Sequence, residues 1–166
     1  WLWRRTAESY QLWRSDGTVA GTRGVPSPRT FDPRTIAEVG AGLVVQIDRA
    51  LWFLSVGQAP RKLAPGLQAC STSGGNTVRI GGLLYFAGRD SRRGCELWRT
   101  DGTIAGTTLV TEFRAGELGG ISTLLPLGAR GVLSVVSNAF GVPELWSTKG
   151  RVSRRIDRPR DVFRSG

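Results

Sequence analysis

The sequence predicts an all-β fold: a β-propeller of four-stranded antiparallel blades, about four of them, forming either a closed four-bladed ring or a fragment of a larger propeller. Three observations predict it. QLWRSDGTVAGTRGV from Gln11 to Val25 returns as CELWRTDGTIAGTTLV from Cys95 to Val110, in register. Weaker echoes, ALWFLSV from Ala50 to Val56 and ELWSTKG from Glu144 to Gly150, place Trp13, Trp52, Trp98 and Trp146 at intervals of roughly 40 to 50 residues, the period of propeller blades. The apolar runs are short and carry no helical period, and Gly or Pro punctuates nearly every gap between them.

The elements follow in chain order. Residues 1–25 form a partial blade, with strands at Leu2–Arg5, Gln11–Ser15 and Thr22–Val25 and no first strand. Residues 35–63 form a degenerate blade: Thr35–Val39, Leu43–Ile47, Ala50–Ser55 and Arg61–Leu63. The best-formed blade covers 76–113, with strands Asn76–Ile80, Leu83–Ala87, Glu96–Thr100 and Thr107–Phe113. Gly81-Gly82 makes a tight turn between its first two strands, and Asp101-Gly102-Thr103 starts the connection between its last two. The run LLYFA from Leu83 is apolar without alternation, so both faces of that sheet must be covered. A last blade spans 122–156, with strands Ser122–Leu127, Val132–Ser137, Glu144–Thr148 and Val152–Ile156. Residues 157–166 are a basic tail or, through DVFR from Asp161 to Arg164, the strand that closes a ring. The fragment is the favoured expectation, because DVFR is short and lies close to Pro159.

Composition narrows function. The chain has 166 residues, 40% of them hydrophobic and 22% charged, with six Trp, which suits an ordered globular protein with a substantial core. No run approaches the roughly 18 apolar residues of a membrane span. Histidine is absent, which removes the usual general base, the Ser-His-Asp triad and every His-containing metal site. The 13 acidic residues show no paired pattern, so no catalytic residue, metal site or cofactor is expected. Net charge is +10 and nearly all of it is Arg. That charge attracts polyanions, but no nucleic-acid motif accompanies it, and nucleic acid is not an expected partner.

In the strong copies, Leu12, Trp13, Asp16, Gly17 and Thr18, and again Leu97, Trp98, Asp101, Gly102 and Thr103, resemble the ELWxxDGT repeat proteins. The copies at Trp52 and Trp146 depart from the pattern, since neither is followed by Asp-Gly-Thr. The resemblance implies a bacterial, tandemly repeated, propeller-like protein that is exported or held at the cell surface. It transfers no catalytic residue. In an exported setting Cys70 and Cys95, which fall at the same end of one blade, can be bridged, the alternative being two free thiols.

Propeller topology puts the crossings between blades and the loops after the second strands on one face, and the Asp-Gly-Thr turns on the other. The first face carries the long variable segments Pro26–Arg34, Ala64–Gly75, Gly88–Gly94 and Arg114–Gly120. Arg89, Asp90, Arg92, Arg93, Arg114 and Glu117 are therefore the candidate ligand residues. The expected function is a non-enzymatic binding or scaffold module that contacts protein or glycan there. A carbohydrate-active propeller enzyme and a polyanion binder using the Arg-rich rim and tail are the alternatives.

Overall fold

The computed structural model describes residues 1–30, 32–70, 76–114, 116, 120–129, 131–138 and 140–156. These fold into four antiparallel sheets of three to five strands, and none of the sheets closes on itself. Sheet one holds β1 (Leu2–Arg5), β2 (Tyr10–Arg14) and β3 (Arg23–Val25). Sheet two holds β4 (Arg34–Val39), β5 (Gly42–Ile47), β6 (Ala50–Ser55) and β7 (Arg61–Pro65). Sheet three holds β8 (Gln68–Ala69), β9 (Thr77–Ile80), β10 (Leu83–Arg89), β11 (Glu96–Thr100) and β12 (Thr108–Thr111). Sheet four holds β13 (Gly120–Leu127), β14 (Gly131–Ser137), β15 (Pro143–Lys149) and β16 (Val152–Arg155). Among the described residues there is no helix, and so none long and apolar enough to cross a membrane.

Strand bounds agree with the sequence reading to within two or three residues, with one addition. The first strand of sheet three comes in two pieces: β8 pairs with the end of β10 at Gly88 and Arg89, and β9 with its start from Leu83 to Phe86. Gly81 and Gly82 between β9 and β10 both take positive φ, +57° and +81°, which a two-residue hairpin of this hand requires and side chains resist. The closing-strand expectation for 157–166 lies outside the described residues.

Three apolar layers join the sheets side by side. Leu12 and Val25 meet Leu43, Val45, Ile47 and Leu54 between sheets one and two. Val44, Leu51 and Leu63 meet Leu67, Leu84 and Phe86 between sheets two and three. Tyr85, Ala87 and Leu97 meet Ile121, Leu124, Val132 and Val136 between sheets three and four. This explains LLYFA: β10 has a layer on each side, and its residues from Leu84 to Gly88 are all buried. In contrast, β14 alternates between buried and half-buried because a layer covers only one of its sides.

Adjacent residues of a strand point to opposite faces, so the repeated Leu-Trp pair serves two layers at once. Leu12, Leu51 and Leu97 are 0% exposed, each in the layer shared with the following sheet. Trp52, Trp98 and Trp146 pack, half-buried, in the layer shared with the preceding sheet. The sequence draws attention to the Trp, whereas the deepest position belongs to its Leu neighbour.

Candidate functional site

The most regular chemistry in the chain builds a turn. Asp16 Oδ1 accepts hydrogen bonds from the Thr18 backbone N–H at 2.9 Å and the Thr18 hydroxyl at 2.8 Å. Thr18 Oγ1 in turn accepts from the Gly21 N–H at 2.9 Å, and the Thr22 hydroxyl donates to the Thr18 carbonyl at 2.6 Å. Asp101, Thr103, Gly106 and Thr107 repeat the same network at 2.8, 2.6, 2.9 and 2.6 Å. Gly17 and Gly102 take φ of +94° and +88°. A Cβ on Gly21 or Gly106 would overlap the adjacent Asp carboxylate, which accounts for the second Gly of the phrase. Hydrogen bonds from Thr18, the backbone N–H first, hold the Asp16 carboxyl below its ordinary range, and the Thr103 hydroxyl does so for Asp101. Both carboxylates are thus occupied within their own turns.

At the opposite end of the sheets the predicted cluster divides. Asp90 accepts from the Arg92 and Arg93 N–H groups at 2.8 and 2.9 Å and pairs with the Arg93 guanidinium at 2.7 Å. Burial pushes the Asp90 carboxyl up, but these bonds outweigh it and leave the group below its ordinary value. Arg93 also reaches Glu112 at 3.1 Å, and the two carboxylates, Glu112 first, raise its pKa. Asp90 and Arg93 therefore brace their own loop. Arg92 is exposed. The Arg114 N–H donates to Glu96 at 3.3 Å. Glu117 lies outside the described residues.

Arg89 belongs to a different group. Together with Asp32, Arg34, Gln46, Asp48, Gln68, Ala69 and Cys70 it lines a polar cleft of about 310 Å³ between sheets two and three. The cleft is made from a crossing, the turn after β5 and the segment entering sheet three. Gln46 ties its two walls together by accepting the Ala69 N–H at 2.8 Å. Asp48 sits in the left-handed region, φ +53°, in the turn between β5 and β6, a conformation Asp tolerates better than most side chains. Cys70, which lines the cleft, forms a disulfide with Cys95, their Cα atoms 5.8 Å apart. The Ile121 N–H donates to the Cys95 carbonyl at 3.0 Å, so the bridge also abuts sheet four. A wider groove of about 630 Å³ runs past Glu8, Tyr10, Gln11 and Pro26, at the end of sheet one and the crossing that follows it.

Sequence reading missed Glu96. Its carboxyl is buried and accepts the Phe113 N–H at 2.6 Å as well as that of Arg114. Burial is the leading cause that raises its pKa, against those two bonds. Glu144, at the same place in its copy, instead accepts from the Trp146 indole at 3.3 Å and from Arg155 at 2.8 Å. The residue that opens the phrase thus acts as a clasp for the backbone or for a neighbouring side chain. Several of the chain's cations have carboxylate partners, Arg29 with Glu8 at 3.3 Å, Arg34 with Asp32 at 3.2 Å and Arg155 with Glu144 at 2.8 Å. The basic tail lies outside the described residues. Among the described residues no three His, Cys, Asp or Glu side chains gather as a metal-binding group.

No family model matches the sequence, and no curated protein matches it. Among solved structures the chain is similar to a Mycobacterium tuberculosis puromycin-hydrolyzing peptidase, with 13% identity and a TM-score of 0.56. The similarity covers 91% of this chain but 25% of the peptidase, so the chain spans about a quarter of that protein's length. At this identity the likeness concerns the fold alone.

Proposed function

We propose that the chain is a non-enzymatic binding or scaffold module whose four sheets are blades of a β-propeller, belonging to an exported bacterial repeat protein. The contact surface is the loop-rich end, at the cleft lined by Arg34, Gln46, Asp48, Gln68 and Arg89. That cleft is the observation that carries the reading: side chains from two separate sheets converge on it, and Gln46 fixes its walls. Two guanidinium groups, two amides and two carboxylates suit a ligand with alternating hydroxyls and an acid group, and an acidic glycan fits that description. The Cys70–Cys95 bridge supports the exported setting, since structural disulfides persist in oxidising compartments. Titration calorimetry with oligogalacturonides tests the reading. Binding should disappear with Arg89→Ala and persist with Asp16→Ala, while silence from acidic and neutral oligosaccharides alike would redirect the search to a protein ligand.

The likeness to part of a peptidase favours a second reading, in which these sheets are an accessory portion of a larger hydrolase. The carboxylates described above argue against chemistry within the chain itself, because Asp16, Asp90, Asp101 and Glu96 are each committed to backbone hydrogen bonds. Hydrolysis of puromycin or an oligosaccharide by the isolated chain, abolished by Asp90→Asn, would overturn the non-enzymatic proposal.

A further inference from the structure

Each strong copy of the phrase lifts an apolar side chain clear of the fold. Val19 and Ile104 hold the same place, directly after Asp-Gly-Thr, and are 95% and 62% exposed. Ala20 and Ala105 beside them are exposed as well. The turn is built by its Asp, Gly and Thr, and needs no β-branched aliphatic at its tip. A single exposed aliphatic is ordinary on a protein surface, but here both copies carry one at the same point. The tips also pair their own backbone. The Thr22 N–H donates to the Val19 carbonyl at 3.3 Å and the Arg23 Nε–H to the Ala20 carbonyl at 3.2 Å. In the later copy the Thr107 N–H donates to the Ile104 carbonyl at 3.2 Å. Carbonyls paired in this way can leave water without being stranded.

Arginines surround the tips. Arg14 and Arg23 stand directly opposite each other in the β2–β3 register, a like-charge pair that is unfavourable by itself. With Ser15, Asp16, Gly21 and Val56 they line a cleft of about 540 Å³. Val56 belongs to the turn after β6, and Arg61, at the start of β7, donates to the Gly102 carbonyl at 3.1 Å, so the turns of sheets one to three lie side by side. Arg99 adjoins Asp101, and Arg79 shares a cavity with Glu38 where the hairpins of sheets two and three meet. Among the described residues Asp16, Asp101 and Glu38 are the acids at this end of those sheets, outnumbered by the arginines, and the β15–β16 turn adds Lys149 and Arg151. The ion pairs of Arg29, Arg34, Arg93 and Arg155 all lie toward the opposite end.

We propose that the turn end of the sheets seats on a bilayer bearing anionic phospholipid, with Val19 and Ile104 entering the headgroup region and Arg14 and Arg23 taking a lipid phosphate between them. Spacing favours a bilayer over a protein partner. Packed sheets lie about 10 Å apart, so tips two sheets apart stand roughly 20 Å from each other. A protein hot spot gathers its apolar anchors into one patch, whereas a fluid bilayer accepts separate ones. Charge favours it too, because anionic headgroups attract each Arg or Lys held near them. The tips project from the ends of strands, so a further sheet packed on the side of sheet one or sheet four would leave them open. The cleft at the loop-rich end also stays free, and this surface does not depend on what that cleft binds.

Co-sedimentation of the disulfide-bonded chain with lipid vesicles tests the proposal. In ~0.1 M NaCl the chain should pellet with equimolar phosphatidylglycerol and phosphatidylcholine, and stay in solution with phosphatidylcholine alone. Val19→Ser with Ile104→Ser should weaken binding about tenfold. Both positions are exposed, so this variant should melt like the parent. Arg14→Gln with Arg23→Gln should weaken binding about twentyfold, from about fivefold for each cation lost. Arg5→Gln with Arg92→Gln removes the same charge from exposed positions at the loop-rich end and should bind like the parent. Failure to pellet with the anionic vesicles overturns the proposal. So does a serine variant that binds like the parent, or an equal loss from the two arginine pairs, since either means adsorption by net charge alone. Displacement by inorganic phosphate at constant ionic strength would make the Arg14–Arg23 pair a site for the free anion, and overturns it as well.

Discussion

The phrase from Leu12 to Thr22 and the phrase from Leu97 to Thr107 make the same hydrogen bonds, yet they end in different surroundings. At the later copy, a Cβ on Gly102 would come within 2.7 Å of the Phe53 ring of sheet two, and Arg61 donates to the Gly102 carbonyl at 3.1 Å. At the earlier copy nothing lies within 4 Å of the corresponding point on Gly17. The turn is therefore a local product of its own sequence, whereas its use as a seat for the preceding sheet depends on there being one. The two copies separate what the phrase does alone from what it does in company.

The largest test of that separation is the indole. Trp98 packs on the layer between sheets two and three, so Trp98→Ala should cost about 3 to 5 kcal/mol in chemical denaturation. Trp13→Ala should cost less than about 1 kcal/mol. Comparable losses at the two sites would break the comparison. Next comes the disulfide, which closes a loop of sequence separation 25 in the later copy's sheet and has no counterpart in the earlier one. Reducing it should destabilise by about 3 kcal/mol, with hydrogen exchange rising first in sheet three.

A smaller contrast sits in the first Gly of each turn. Gly17→Ala meets only the backbone cost of positive φ, about 1 kcal/mol, while Gly102→Ala adds the collision with Phe53 and should cost about twice as much. The smallest effect should be equal in the two copies. Asp16 and Asp101 have carboxyls held below their ordinary range, so each contributes stability that is fully present above that range and is lost as pH falls from it through the lowered folded value. Asp16→Asn and Asp101→Asn should flatten the acid side of a melting-temperature profile by similar amounts. Glu96 runs the other way. Its carboxyl is raised, so its contribution is greatest below the ordinary glutamate value and is lost as pH rises through the folded one. Glu96→Gln should raise the melting temperature at pH 7, with the gain disappearing in acid.

The physical reasons for what the sequence revealed are local ones. Gly81-Gly82, the repeated Asp-Gly-Thr and the strands around them follow from nearest-neighbour chemistry, and their positions were legible to within a few residues. Two-residue β8 carries no signal of its own and exists because β10 offers its edge at Gly88 and Arg89. The cleft was hidden for a related reason. Asp32, Arg34, Gln46 and Asp48 lie far in sequence from Gln68 and Arg89, and only the layer between sheets two and three brings them together. Proximity in sequence also misled: Asp90 and Arg93 stand beside Arg89 but spend their charges on each other and on Glu112. Glu96 looked like an ordinary strand-opening acid, and its burial follows from Phe113 and Arg114 turning their N–H groups toward it.

The bridge between Cys70 and Cys95 also determines how the chain would yield to force. Tension applied through the backbone on either side passes across the two sulfurs and leaves the residues between them slack. About 80 Å of contour, ~3.4 Å per residue over the separation of 25 less the 5.8 Å between the bridged Cα atoms, is withheld from extension. Stretched singly, the oxidised chain should come to its full length that much earlier than the reduced chain, with β9 and β10 never bearing load.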